Sequence, residues 1–199
     1  MTMRQEPELA ERIGRVTRKL ARAAAMPGEP VMFGVGSHRF QLGPPLSEDE
    51  VVAFERRHGV TLPADYRRFL TEIGHGGPGP YGGAGPGYGL LPLDGWNEAL
   101  WVAEDDVLAT PFPAEPGRGY RDWWAEVGLS DDDEPYRGVL ALGHEGCGHF
   151  SVLVVTGAAR GRVCSVPVHS SPSFSPDPDF LSWYERWLDA VLAGEQGFR

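Results

Sequence analysis

The chain has 199 residues, room for one sizeable core, and its 41% hydrophobic and 23% charged residues fit a soluble globular protein. Its 28 acidic against 18 basic side chains give a formal charge of −10, which disfavours DNA, RNA and anionic lipid, since each needs a cationic face, and favours a basic protein partner. Two cysteines, Cys147 and Cys164, are too few for a secreted disulfide scaffold and fit a reducing cytosol.

Near the start, Leu9, Ile13, Val16, Leu20 and Ala24 recur at helical spacing. Arg12, Arg15, Arg18 and Lys19 interrupt every apolar run there, so neither a signal peptide nor a membrane span is expected, and the expected location is the cytoplasm. The apolar stripe is narrow and lacks aromatics, which favours packing on the rest of the protein over lying on a membrane. Residues 1–30 are therefore read as an amphipathic helix with its linker, and 31–199 as the main domain.

Residues 31–42 alternate weakly around Gly36-Ser37, which predicts a hairpin. A helix follows from Ser47, a capping residue with Glu50 three positions on, and ends near Gly59. A second opens at Pro63, buries Tyr66, Phe69, Leu70 and Ile73, and stops at Gly74. Residues 74–89 hold nine glycines and three prolines. This must be a loop, with Tyr81 and Tyr88 as its large anchors.

Residues 96–107 and 120–127 read as helical pieces, and 137–142 as a short strand. The β-branched runs 149–155 and 162–168 flank a five-residue loop and predict a hairpin. After the Ser/Pro-rich stretch 170–178, a last helix buries Phe180, Tyr184, Trp187, Leu188 and Val191. Helices before and after paired strands make the fold class α+β, with a central antiparallel or mixed sheet, packed helices and an N-terminal helical extension.

Three segments together resemble the SUKH superfamily, which holds the yeast cell-wall assembly regulators of Smi/Knr type and many bacterial toxin-immunity proteins. The first runs Leu62-Pro63-Ala64-Asp65-Tyr66-Arg67-Arg68-Phe69-Leu70, then Gly76-Gly77, then Gly85-Pro86-Gly87-Tyr88-Gly89-Leu90. The second is Gly143-His144-Glu145-Gly146-Cys147-Gly148, leading into Leu153-Val154-Val155-Thr156-Gly157 and on to Gly161-Arg162-Val163. The third is Phe180-Leu181-Ser182-Trp183-Tyr184-Glu185-Arg186-Trp187-Leu188. Their order and spacing are similar to the family over about residues 44–193. Two positions depart from it: His75 stands where a small polar residue is usual, and Cys164 where Trp is frequent. The resemblance implies an α+β domain that binds rather than catalyses. Its bacterial members imply an immunity protein that covers a toxin, often a nuclease; its fungal members imply a regulatory interaction module instead.

Catalytic and metal chemistry fit the residues less well. Gly74-x-Gly76-x-x-Gly79 matches a dinucleotide fingerprint, but it follows a helix, and Pro78 and Pro80 prevent one from opening after it. His144, Cys147, His149 and Cys164 are candidate zinc ligands, yet His149 lies five positions after His144 rather than four, and Gly146 and Gly148 break a helix. A Cys147 nucleophile paired with His144 or His149 lacks an orienting partner in the sequence. The expectation is a protein without metal, cofactor or catalysis.

Charge points to the binding surface. Residues 98–134 carry eleven acids and two bases, a local net of −9. The densest clusters are Glu104, Asp105 and Asp106, and Asp131, Asp132, Asp133 and Glu134. These seven are the candidate partner-binding residues, facing a cationic toxin; the ordinary alternative is a solvated face.

Overall fold

The structure is a computed structural model that describes residues 5–28, 31–96, 100, 107–129, 136–167 and 171–198. Six helices and four strands can be numbered along the described chain. α1 (Gln5–Ala24), α2 (Val35–His38), α3 (Glu48–His58) and α4 (Ala64–Glu72) come first. α5 (Trp123–Glu126), β1 (Val139–Gly146), β2 (His149–Val154), β3 (Val163–Pro167), β4 (Ser173–Phe174) and α6 (Phe180–Leu192) follow. The strands form one antiparallel sheet in the order β1-β2-β3-β4. The fold is α+β, and among the described residues no helix is long and apolar enough to cross a membrane.

Local rules place the helix ends. Ser47 and Glu50 form a reciprocal capping box at the start of α3, and Gly59 closes it with a left-handed backbone. Asp179 caps α6 by accepting the Ser182 N–H at 2.9 Å. The α6 stripe read from the sequence is buried throughout, with Trp187, Tyr184 and Phe180 among the largest fully buried side chains.

α1 buries Leu9, Ile13, Val16 and Ala23, and its basic residues meet acids of α6. Arg12 donates to Asp179 at 2.6 Å, Arg15 to Glu185 at 3.1 Å, and Lys19 lies 2.7 Å from Asp189. These pairs join residues 167 to 170 positions apart, so the two helices run parallel. Burial raises the Glu185 carboxyl, but hydrogen bonds from Arg15 and Lys19 outweigh it and hold it below its ordinary range.

The expected hairpin over 31–42 is a helical turn instead. Val35–His38 is helical, and Arg39 and Phe40 have φ of 48° and 58°, which no extended strand contains. Val35, His38 and Phe40 turn into the core while Val31 and Phe33 face outward, so the weak alternation came from a coiled segment. The expected helix at 120–127 is one turn, capped by Asp122. Most of the expected helix at 96–107 lies outside the described residues. The strand expected at 137–142 is longer, because 143–146 continue pairing with β2. The β1–β2 turn is two residues, Cys147 and Gly148, with φ of 51° and 74°, both positive as a type I′ turn requires.

The Gly-rich segment is a loop, as its composition dictates, but its middle is packed inside the protein. Residues 82–86 are buried, and a Cβ on Gly83 would overlap the Gly76 carbonyl. Glycine there allows two stretches of backbone to touch. Tyr88 and Leu91 donate their N–H groups to the His144 and Leu142 carbonyls at 2.9 and 2.8 Å, covering the outer edge of β1.

Candidate functional site

One groove, of about 720 Å³, opens on the sheet. Its floor is set by register. Gly143, Ser151, Ser165 and Ser173 lie abreast across the four strands. A bulge between His144 and Gly146 leaves Glu145 without a register partner, two residues after Gly143 and on the same face. Its half-buried carboxylate accepts one hydroxyl from Ser151 at 2.5 Å and another from Ser165 at 2.9 Å. No cation among the described residues pairs with it.

The walls come from distant parts of the chain. Pro86 and Gly87 bring the Gly-rich loop, Met32 and Phe33 the strap after α1, and Trp183 and Arg186 the side of α6. The Phe33 N–H donates to the Gln196 carbonyl at 3.1 Å, which ties the strap to the C-terminal segment. Arg186 is neutralised by Asp177 at 2.8 Å and lies over the Phe198 ring at 4.2 Å.

An aromatic ridge borders the groove. Tyr88 meets Phe33 and Tyr81, each at 5.1 Å between ring centroids, and touches His144 at 5.9 Å. Phe33 is 51% exposed and Tyr81 53%. Tyr81 therefore does not anchor the loop; Ala84 and Leu90 do, both buried.

The candidate zinc ligands are not gathered. Cys147 sits exposed in the two-residue turn, whereas Cys164 is buried and its thiol is pushed up by that burial and by the Glu145 charge. His144 Nδ1 accepts the Gly146 N–H at 2.8 Å, and its ring packs on Phe150 at 4.7 Å. Among the described residues, no three His, Cys, Asp or Glu side chains form a set that would hold a metal. The fingerprint glycines Gly74, Gly76 and Gly79 lie in the loop after α4, and no helix opens after them.

The seven acids expected to bind a partner (Glu104, Asp105, Asp106, Asp131, Asp132, Asp133 and Glu134) lie outside the described residues. The serine row, Glu145 and the ridge are absent from that set. Only the pair Tyr81 and Tyr88, large side chains in a segment otherwise almost without them, offered a local signal.

The fold and the groove define an α+β domain with a walled, open sheet face. A family model for the SMI1 / KNR4 family (SUKH-1) matches residues 45–186, well over half of the chain, and the protein belongs to that family. The matched region contains the sheet, α3, α4 and the Gly-rich loop; α1 and the strap with Phe33 precede it. A search of curated protein sequences returned no match.

Proposed function

We propose that this chain is a non-catalytic, protein-binding domain of the immunity type, which covers and neutralises a cationic protein toxin, a nuclease being one class that fits. The observation that carries the reading is the ridge in which Phe33 and Tyr81, each about half exposed, meet over the partly buried Tyr88 beside a groove on a SUKH-1 domain. Clustered exposed aromatics are poorly placed for solubility and well placed for an interface, where they supply rigid apolar contact. The formal charge of −10 supports a basic partner and fast electrostatic association.

The test has two arms. The partner captured from the native cell is purified and assayed alone, for toxicity on expression and for nucleic-acid cleavage. Stoichiometric addition of this chain should abolish that activity, and Phe33→Ala with Tyr81→Ala should restore it. A partner that is harmless alone, or that the chain binds without inhibiting, overturns the immunity reading in favour of a regulatory interaction module.

A further inference from the structure

Glu145 differs from the ion-paired acids on and beside α6. Asp179, Glu185 and Asp177 each meet an arginine or lysine. Among the described residues Glu145 meets two serine hydroxyls and no cation, and both donors lie on neighbouring strands of the sheet. Neutral donors orient a carboxylate without cancelling its charge. They occupy about two of its roughly four lone-pair directions, and the rest remain for a further donor. Ser151 is only 5% exposed, so this support is built into the fold rather than recruited from solvent. Arg186, the Lys/Arg side chain among the described lining residues, is committed to Asp177. Among the described residues that line it, the groove thus presents one carboxylate, Glu145, with the apolar side chains Met32, Phe33 and Trp183 and the Asp177-paired Arg186 along its walls.

A long aliphatic stem ending in a positive head matches that pattern. Lysine and arginine lay their methylenes on apolar surface and place the charge at the end, and an aromatic face adds attraction for the cation. A volume of about 720 Å³ falls in the range, about 300–1,000 Å³, that encloses a drug-sized ligand. It therefore has room for such a side chain and the backbone that carries it. We propose that the groove takes a lysine or arginine side chain of the partner protein, with its head on Glu145 and its stem against Phe33 and Trp183. This rests on the protein-binding reading above and names the partner's chemistry at that surface.

The experiment uses the full chain, labelled with ¹⁵N, and three blocked pentapeptides with glycine around a central arginine, lysine or norleucine. Arginine and lysine peptides should shift the amides of Gly146, Ser151 and Ser165, while norleucine, which keeps the stem and lacks the charge, should not. Glu145→Gln keeps the shape and should weaken the arginine peptide about tenfold or more, as expected for losing a charged hydrogen-bond acceptor. Its own spectrum, compared with wild type, reports whether the fold is kept. Should Glu145→Gln unfold the chain, Ser165→Ala serves instead and should weaken binding in the same direction. Equal shifts from norleucine, the same shifts from calcium chloride alone, no shifts from any peptide, or unchanged affinity in a folded Glu145→Gln each overturn the proposal. A protein partner that binds wild type and Glu145→Gln equally would sink this groove assignment and leave the protein-binding reading standing. Peptide binding without any protein partner would do the reverse.

Discussion

Tyr184 of α6 donates its hydroxyl to the Ala84 carbonyl, 2.9 Å away and 100 residues earlier in the chain. Both residues are buried, and the Ala84 N–H donates in turn to the Gln41 carbonyl at 2.8 Å. The bond fastens the middle of the Gly-rich loop, which cannot hold itself by side-chain packing, to the best-packed helix of the core. Tyr184→Phe leaves a buried carbonyl short of a donor and should cost about 1–3 kcal/mol in urea denaturation. It should also speed hydrogen exchange at the Gly83 and Ala84 amides. An unchanged midpoint would mean that the loop is held elsewhere.

Trp187 is fully buried among Tyr184, His38 and Phe40, with ring centroids 5.2, 5.9 and 6.0 Å away. Its indole N–H finds no acceptor among the described residues. Trp187→Ala should therefore destabilise by about 3–5 kcal/mol through the cavity it leaves. Trp187→Phe removes less volume and also the unsatisfied donor, so its cost should be smaller, about 1–2 kcal/mol. Thermal or denaturant midpoints measure both, and an equal loss in the two variants would contradict the assignment.

His38 makes stability depend on pH. The Phe40 N–H donates to its Nδ1 at 3.0 Å, and its Nε2 lies 3.1 Å from the Gly85 carbonyl, an arrangement that suits the neutral ring with the proton on Nε2. Burial lowers its pKa to about 4, against a smaller opposing effect from the Gly85 carbonyl. The unfolded chain, with a histidine near its ordinary value, takes up the proton first. Stability from this group is present in full above about pH 6.5 and is lost as pH falls toward 4, by up to about 3 kcal/mol. Burial also lowers His75, in the same direction. His38→Gln should flatten the dependence of unfolding free energy on pH between 4.5 and 6.5. A slope equal to wild type would assign the effect to other groups.

What was legible in the sequence was what neighbouring residues decide. Ser47 with Glu50 announced α3, the spacing of Tyr184, Trp187 and Val191 gave the buried face of α6, and the β-branched runs gave β2 and β3. β4 was missed because two residues, Ser173 and Phe174, carry no periodicity and sit in a Ser/Pro-rich stretch. The groove was missed for a different reason. Glu145, Ser151 and Ser165 meet only through the register of three strands and a bulge, and Phe33 lines the same groove from a segment whose left-handed backbone at Arg39 and Phe40 breaks the expected hairpin. Long-range register is not written in local spacing.

The acidic clusters supply the last prediction. Residues 98–134 carry a net of −9, with Asp131, Asp132, Asp133 and Glu134 contiguous. A protein that cuts nucleic acid needs a cationic groove for phosphates, and an array of carboxylates competes for the same groove. Exposed charges at the rim of an interface act mainly on the encounter, whereas a buried, hydrogen-bonded pair governs dissociation. Changing these four residues to Asn and Gln should therefore slow association with the captured partner at low salt, by about tenfold or more, and leave dissociation nearly unchanged. The difference should shrink as ionic strength rises and the Debye length falls to about 8 Å at 0.15 M. Glu145→Gln should show the opposite signature in the same stopped-flow and dissociation measurements, with faster release and little change in the on-rate. If the quadruple variant associates as fast as wild type at low salt, the acidic cluster is a solvated surface, and the affinity must come from the aromatic ridge and the groove beside it.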